Sequence, residues 1–202
     1  LGEWLGAGGH GVRRGRFGLE ERSFAGELPM HRERPFQAWV QISMGCNSKC
    51  SYCIVPAVRG REVSRRPGDL VAEITQLVAQ GVREVTLLGQ NVNSWGRNLA
   101  PELHTDFGEL LRACDDIEGL ERIRFTSPHP KDFRRPVIDA MAECDAVCEH
   151  AHLPLQSGST RILKRMRRTY SRERYLDLVG RIPSAAETSA RGSGGDVARA
   201  VV

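Results

Sequence analysis

Ala38-Trp39-Val40-Gln41-Ile42-Ser43-Met44 runs without a break into Gly45-Cys46-Asn47-Ser48-Lys49-Cys50-Ser51-Tyr52-Cys53. The first seven residues alternate well enough for a β-strand. The second stretch places three cysteines on a short polar loop, with three and then two residues between them. A strand that delivers a polar loop sets the reading of the rest, because that layout recurs along the chain.

Downstream, Pro67-Gly68-Asp69 opens a helix in which Leu70, Val71, Ile74, Leu77 and Val78 fall at helical spacing. Proline suits a first turn, and Gly81 suits the position just past the last. Residues 84–88 then form a short apolar strand closed by Gly89-Gln90-Asn91. A helix over 107–114 leads to a strand over 122–125, closed by Thr126-Ser127-Pro128. A helix over 136–142 leads to a strand over 152–155, closed by Gln156-Ser157-Gly158. Helices over 160–168 and 172–181 follow.

Strands alternating with helices of this length imply an α/β fold, a parallel sheet with helices outside. In such folds ligands gather at the carboxyl ends of the strands. The cysteine loop, Gly89 to Asn91, Ser127 to His129 and Gln156 to Gly158 each follow a predicted strand, so all are expected on one rim.

Three segments are expected. Residues 1–37, with Gly8, Gly9, Gly11, Gly15 and Gly18 among arginines, read as a linker or disordered arm. Residues 38–182 hold the repeating core. Residues 183–202 read as an irregular tail of Ser, Ala and Gly, with no fifth strand and only Val197 to Val202 hinting at apolar character.

Composition bounds the function. The chain has 202 residues, 40% hydrophobic and 27% charged, ordinary for a soluble globular protein. No run of about 18 apolar residues occurs, so a membrane span is not expected, and the N-terminus lacks a secretory pattern. The cytoplasm is therefore the expected compartment. There the six cysteines stay reduced, and a tight cluster of them points to metal binding or catalysis. A net charge of +4 permits a nucleic-acid partner and equally fits a mildly basic soluble protein.

Three thiolates on one loop can hold three irons of a cubane cluster and leave the fourth open to a small molecule. A zinc knuckle needs a fourth ligand, and the next candidate beyond Cys53 is His104. A disulfide would leave one thiol odd. The cluster is the favoured reading, with ligands Cys46, Cys50 and Cys53. Cys114, Cys144 and Cys148 read as buried small apolar residues, although Cys144 and Cys148 have the spacing of one helix face. His129, His150 and His152 fall near the rim, and packing explains them as well as chemistry does.

With Tyr52 before the third cysteine, the loop resembles the radical S-adenosylmethionine (SAM) superfamily. Met44 to Asn47, Cys53 to Pro56, Arg59-Gly60-Arg61-Glu62 and Ser64 to Gly68 are similar to its methylthiotransferases. Leu87 to Ser94 is similar to the tRNA branch, which makes 2-methylthio-N6-isopentenyladenosine beside the anticodon. His152 to Ser159 and Met166 to Tyr170 fit the same family, and the resemblance covers residues 36–181.

That resemblance implies a partial open (β/α) barrel with about four parallel strands. It implies a [4Fe-4S] cluster and SAM, whose methionine end the open iron chelates. One electron then releases a 5′-deoxyadenosyl radical, which takes hydrogen from C2 of the modified adenine. Gly89, Gln90 and Asn91 map to contacts with the methionine end of SAM, and Ser127, Gln156 and Ser157 to ribose or adenine contacts. Ordinary turn chemistry also accounts for each of these. The implied partners are a tRNA anticodon loop and a reductant protein such as flavodoxin or ferredoxin, acting on a monomer. Arg59, Arg61, Arg65, Arg66, Arg165, Arg167 and Arg168 are candidates for RNA phosphates, with solvated faces as the alternative.

The rival within the family is the branch that modifies a ribosomal-protein aspartate; Gly89-Gln90-Asn91-Val92-Asn93 favours tRNA. Family members also carry an N-terminal domain with a second cluster, a fifth strand and a C-terminal RNA-binding barrel, none of which this sequence matches. The chain is therefore expected to be an internal fragment with a bare edge on its fourth strand, one that binds the SAM cluster without completing methylthiolation alone.

Overall fold

The computed structural model describes Arg32 and residues 34–103, 105–190 and 199–201. The expected arm over 1–37 lies outside the described residues apart from Arg32 and residues 34–37.

Strand β1 (Gln37–Gln41) pairs in parallel with β4 (Glu84–Leu88), and β4 pairs in parallel with β5 (Arg122–Phe125). Strand β4 lies in the middle of this sheet, and Glu84, Val85, Thr86 and Leu87 are all buried. A near-continuous apolar run is the signature of a strand covered on both faces. Helix α2 (Pro67–Ala79) crosses from β1 to β4, and α3 (Phe107–Asp115) from β4 to β5. Leu70 and Ile74 of α2 and Leu110 and Leu111 of α3 join Val40, Val85, Leu87 and Ile123 in one core. Fully burying each such side chain contributes about 1.5–3 kcal/mol.

Helix termini follow their sequence signals. The Asp106 carboxylate accepts the Glu109 amide at 3.0 Å to cap α3. Helix α2 ends with Gly81 at φ +94°, the Gly81 amide donating to Val78 O and the Val82 amide to Leu77 O.

The single strand expected over 38–44 is broken. After β1 the chain continues as β2 (Ser43–Met44), which pairs antiparallel with β3 (Val63–Ser64). The switch is made by Ile42, whose amide donates to Leu88 O at 2.9 Å while its carbonyl accepts the Arg65 amide at 2.9 Å. The chain thus peels off the sheet just before the cysteine loop. Gly45, at φ +79°, makes the corner; a Cβ there would lie 2.7 Å from Gly60 O. A short helix α1 (Val55–Val58) follows the loop.

Helix α4 (Arg135–Glu143) ends at Cys144, which caps it, so Cys144 and Cys148 do not share a helix face. Cys148 instead donates its amide to Ile123 O at 3.0 Å, beside a parallel bridge between Ile123 and Val147. The fourth strand, β6 (His150–His152), lies earlier than the expected 152–155. The carbonyls of Leu153 and Leu155 are taken by the Tyr175 and Tyr170 hydroxyls at 2.5 and 3.0 Å, so they are lost to strand pairing.

Helix α5 is Thr160–Arg165, three residues shorter than expected, because Arg167 adopts φ +55° and ends it. Helix α6 (Arg172–Ala190) runs on past residue 181, and β7 (Arg199–Val201) pairs in parallel with β6. The irregular tail expected over 183–202 is thus corrected over 183–190 and 199–201, the rest of it lying outside the described residues, and the missing fifth strand and bare fourth edge are corrected with it. Ala185, Ala186 and Ala190 are strong helix formers hidden among Ser and Thr. Among the described residues, no helix is long and apolar enough to cross a membrane.

Candidate functional site

The cysteine loop is tied down at several backbone points. The Cys46 amide donates to Gly60 O, the Cys53 amide to Cys50 O and the Ser51 amide to Met166 O, each at 3.1 Å. Cys46 is buried, Cys50 half-buried and Cys53 exposed, and all three are free thiols. The Ser48 amide donates to Cys46 Sγ at 3.4 Å, and Arg168 Nη1 donates to Cys50 Sγ at 3.5 Å.

The other expected rim residues gather around this loop by different routes. The Tyr52 hydroxyl donates to Gln156 Oε1 at 3.1 Å, joining the loop after β6 to the cysteine loop. Gln156 reaches it with a left-handed backbone, φ +69°. Burial raises the Tyr52 phenol, while the nearby Arg168 charge opposes the rise. Ser157 accepts the Ser159 amide at 3.2 Å, which is turn chemistry. Ser127 is exposed at φ +57°, and its carbonyl accepts the Val92 amide at 3.4 Å.

Gly89 packs against Ser43, and a Cβ on it would lie 2.6 Å from Ser43 Oγ and 3.2 Å from Val92 Cα. Asn91 Nδ2 donates to Asp132 Oδ2 at 2.7 Å, and Arg97 pairs with Asp132 Oδ1 at 2.7 Å. Beside it lies Glu62, a buried carboxylate that the sequence displayed only as part of a motif. Its amide donates to Asn47 Oδ1 at 3.2 Å and its Oε2 accepts the Ser94 hydroxyl at 2.6 Å. Burial pushes the Glu62 carboxyl up from its ordinary range, with the Ser94 bond acting the other way. The same Ser94 hydroxyl lies 2.7 Å from Asn91 O, so the cysteine loop, the Glu62 turn and the loop after β4 form one polar lattice.

Sequence reasoning missed four members of that lattice: Glu62, Asn93, Asp132 and, as a site residue, His129. The Asn93 side chain clamps the His129 backbone, accepting its amide at 2.8 Å and donating to its carbonyl at 3.1 Å. Polar residues flanking a strand end were the available signal, but only the tertiary pairing of the 92–94 and 129–132 turns makes them one site. Two arginines also fall elsewhere than expected. Arg65 pairs with Glu73 at 2.6 Å and donates to Gln41 O, and Arg168 turns inward to Cys50 rather than outward. Arg59, Arg165 and Arg167 are exposed.

Among the described residues, buried polar atoms of the cysteine loop and the neighbouring strand ends that have no hydrogen-bond partner include Ser43 Oγ, Ser48 Oγ, Glu62 Oε1, Gln90 Oε1 and Asn91 Oδ1. Each such group costs about 1–3 kcal/mol when left unpaired. Carboxamide, carboxylate and hydroxyl oxygens held together at a strand rim fit a ligand that carries an ammonium and a carboxylate. The thiols fit a cluster in type and in their spacing along the sequence. Among the described residues no three His, Cys, Asp or Glu side chains converge as they would around a single metal ion. His104 lies outside the described residues.

The profile of the Radical SAM superfamily matches residues 40–188. The chain belongs to the radical SAM superfamily. The cofactors of this superfamily are a [4Fe-4S] cluster and SAM. The radical SAM chain is 56% identical over 175 residues to tRNA-2-methylthio-N(6)-dimethylallyladenosine synthase 1 of Mycobacterium marinum, a match covering 81% of this chain and 33% of that protein. It is 54% identical over 179 residues to the synthase of Corynebacterium jeikeium, covering 85% of this chain and 35% of that protein. It therefore spans about a third of the length of these curated relatives.

Among solved structures, it is similar to the radical SAM methyltransferase TsrM from Kitasatospora setae, with a TM-score of 0.50 at 20% identity over 80% of this chain and 29% of that one. It is also similar to the cobalamin-dependent SAM radical enzyme OxsB, with a TM-score of 0.53 at 12% identity over 73% of this chain and 22% of that one. At these identities the likeness concerns the fold alone.

Proposed function

We propose that the chain forms the cluster- and SAM-binding core, over residues 38–182, of a tRNA methylthiotransferase that acts on C2 of N6-isopentenyladenosine beside the anticodon. The observation that carries this reading is the 53–56% identity to synthases of that name across four-fifths of the chain, cysteine loop included. When bound, the cluster and SAM supply one-electron cleavage of a sulfonium, chemistry that no side chain provides.

The chain's own residues bind and orient. Cys46, Cys50 and Cys53 are the thiolates that would hold the cluster. Gly89 lets Ser43 and Val92 pack close at the rim, and the free oxygens of Gln90, Asn91 and Glu62 can accept from the ammonium of a methionine moiety. The Ser43 hydroxyl can donate to its carboxylate. Ser127, Gln156 and Ser157 serve the nucleoside end. Exposed Tyr52, Ile54 and Val58 beside Arg59 offer stacking and charge to a single-stranded loop. Such a loop gives up its target base at little cost. The protein works in the cytoplasm as a monomer and takes electrons from a small carrier such as flavodoxin or ferredoxin.

The test is an anaerobic incubation of the reconstituted chain with dithionite, SAM and an anticodon stem-loop, with and without the isopentenyl group. Formation of 5′-deoxyadenosine that accelerates only with the isopentenylated RNA is the expected result. A loaded chain that cleaves SAM at one rate with both RNAs contradicts the substrate assignment.

A further inference from the structure

Helix α5 ends in a tight reversal built by left-handed Arg167. The Arg167 amide donates to Lys164 O at 3.0 Å and the Arg168 amide to Leu163 O at 2.9 Å. This pair of bonds is the Schellman arrangement, which ordinarily takes glycine at the left-handed position. A bulky residue there is a strained choice. Its consequence is that Arg168, the next residue, points inward.

Three contacts then fix the guanidinium. Nη1 donates to Cys50 Sγ at 3.5 Å, Nε donates to the Tyr170 hydroxyl at 3.2 Å, and the guanidinium carbon stands 5.3 Å from the Tyr170 ring centre. The Tyr170 hydroxyl is itself anchored on Leu155 O at 3.0 Å. The same reversal holds the cysteine loop from below, through the Ser51 amide on Met166 O at 3.1 Å. The polar partners described for Arg168 are a thiol and a phenol, and neither carries a charge that would neutralise it in its protonated form.

We propose that Arg168 sets the reduction potential of the cluster by holding a positive charge and an N–H donor against the Cys50 sulfur. The inference rests on the cluster reading above. Hydrogen bonds to cluster sulfurs and local net charge are among the protein's means of setting that potential. A fixed cation stabilises the form carrying one more electron over the form carrying one fewer, so it raises the potential. The step is the entry of one electron from an added reductant, with no bond made or broken and no proton moved. Arg168 is a positioning residue that acts through Cys50.

The experiment is an anaerobic redox titration of the reconstituted chain, without SAM, using dithionite and mediators and following the reduced-cluster signal by electron paramagnetic resonance. Arg168→Gln is expected to weaken electron affinity about tenfold, which for a one-electron couple is about 59 mV more negative. Arg168→Lys, which keeps the charge without the planar fork, is expected between the two. A loaded Arg168→Gln chain that titrates at the wild-type potential overturns the proposal. If Arg168→Gln holds no cluster, Arg168→Lys decides: a more negative potential supports the proposal and an unchanged one overturns it. A wild-type chain that takes up no iron and sulfide contradicts the cluster reading itself, a separate outcome.

Discussion

Acidification tests the polar lattice beneath the rim through His129. Its ring is buried, Nδ1 accepts the Lys131 amide at 3.2 Å, and the Tyr170 ring lies edge-on at 5.7 Å between centres. Burial above all, then the positive charges of Arg168 and Lys131, push the imidazole down to about 4 from 6.5, against the pull of Asp132. Between those values the unfolded chain binds a proton that the folded chain refuses. Stability from this group is therefore complete above about pH 6.5 and is lost as pH falls toward about 4. Each pH unit of that window is worth about 1.4 kcal/mol, so the whole is worth up to about 3 kcal/mol. That is a large part of the ~5–15 kcal/mol typical of a domain.

The assay is urea unfolding at about pH 7.5 and about pH 4.5, for wild type and His129→Gln, whose neutral oxygen can still accept the Lys131 amide. Carboxylates titrating in the same range cancel in the comparison. Wild type is expected to lose about 2–3 kcal/mol more than the variant on acidification. Equal losses would refute the reasoning, because they would mean that the folded His129 titrates as freely as the unfolded one.

Gly108→Ala in α3 should destabilise, although Ala normally gains about 1 kcal/mol over Gly inside a helix. The new Cβ would stand 2.6 Å from Pro136 O of α4, and such overpacking costs about 1–3 kcal/mol; a higher urea midpoint would contradict this. Trp95→Phe removes the 3.1 Å bond from Nε1 to Arg65 O and should lower the urea midpoint by the equivalent of about 1–3 kcal/mol, with an unchanged midpoint as the contrary result. Alkylation by iodoacetamide near pH 8, followed by mass spectrometry, should label exposed Cys53 first. Cys114 and Cys144, whose thiols burial pushes up to about 12, should label last, and early labelling of either would contradict their placement.

The fold was legible where local signals and tertiary pairing agree. The bounds of β4 follow from a short, mainly apolar run and those of β5 from an alternating one, each closed by turn residues, and those of α2 from Pro67 and Gly81. It was illegible where a distant partner decides. Nothing local to Ile42 announces that its carbonyl will accept the Arg65 amide while its own amide stays on Leu88 O, or that two tyrosines of α6 and the turn before it will take the carbonyls of Leu153 and Leu155. The site divides in the same way. Three cysteines on one loop are visible from spacing alone. Glu62, Asp132 and the inward Arg168 are not, because each acquires its role from a side chain at least 32 residues away.

The central claim is that the loop from Cys46 to Cys53 carries a cluster with one metal corner left for SAM. Iron and sulfide analysis of the anaerobically reconstituted chain, with electron paramagnetic resonance of the reduced form before and after SAM, tests it most directly. The expected result is about four irons and four sulfides per chain, absent from the Cys46→Ala, Cys50→Ala, Cys53→Ala triple variant, and a signal that shifts when SAM is added. Stoichiometric zinc without sulfide, or a cluster signal indifferent to SAM, would contradict it.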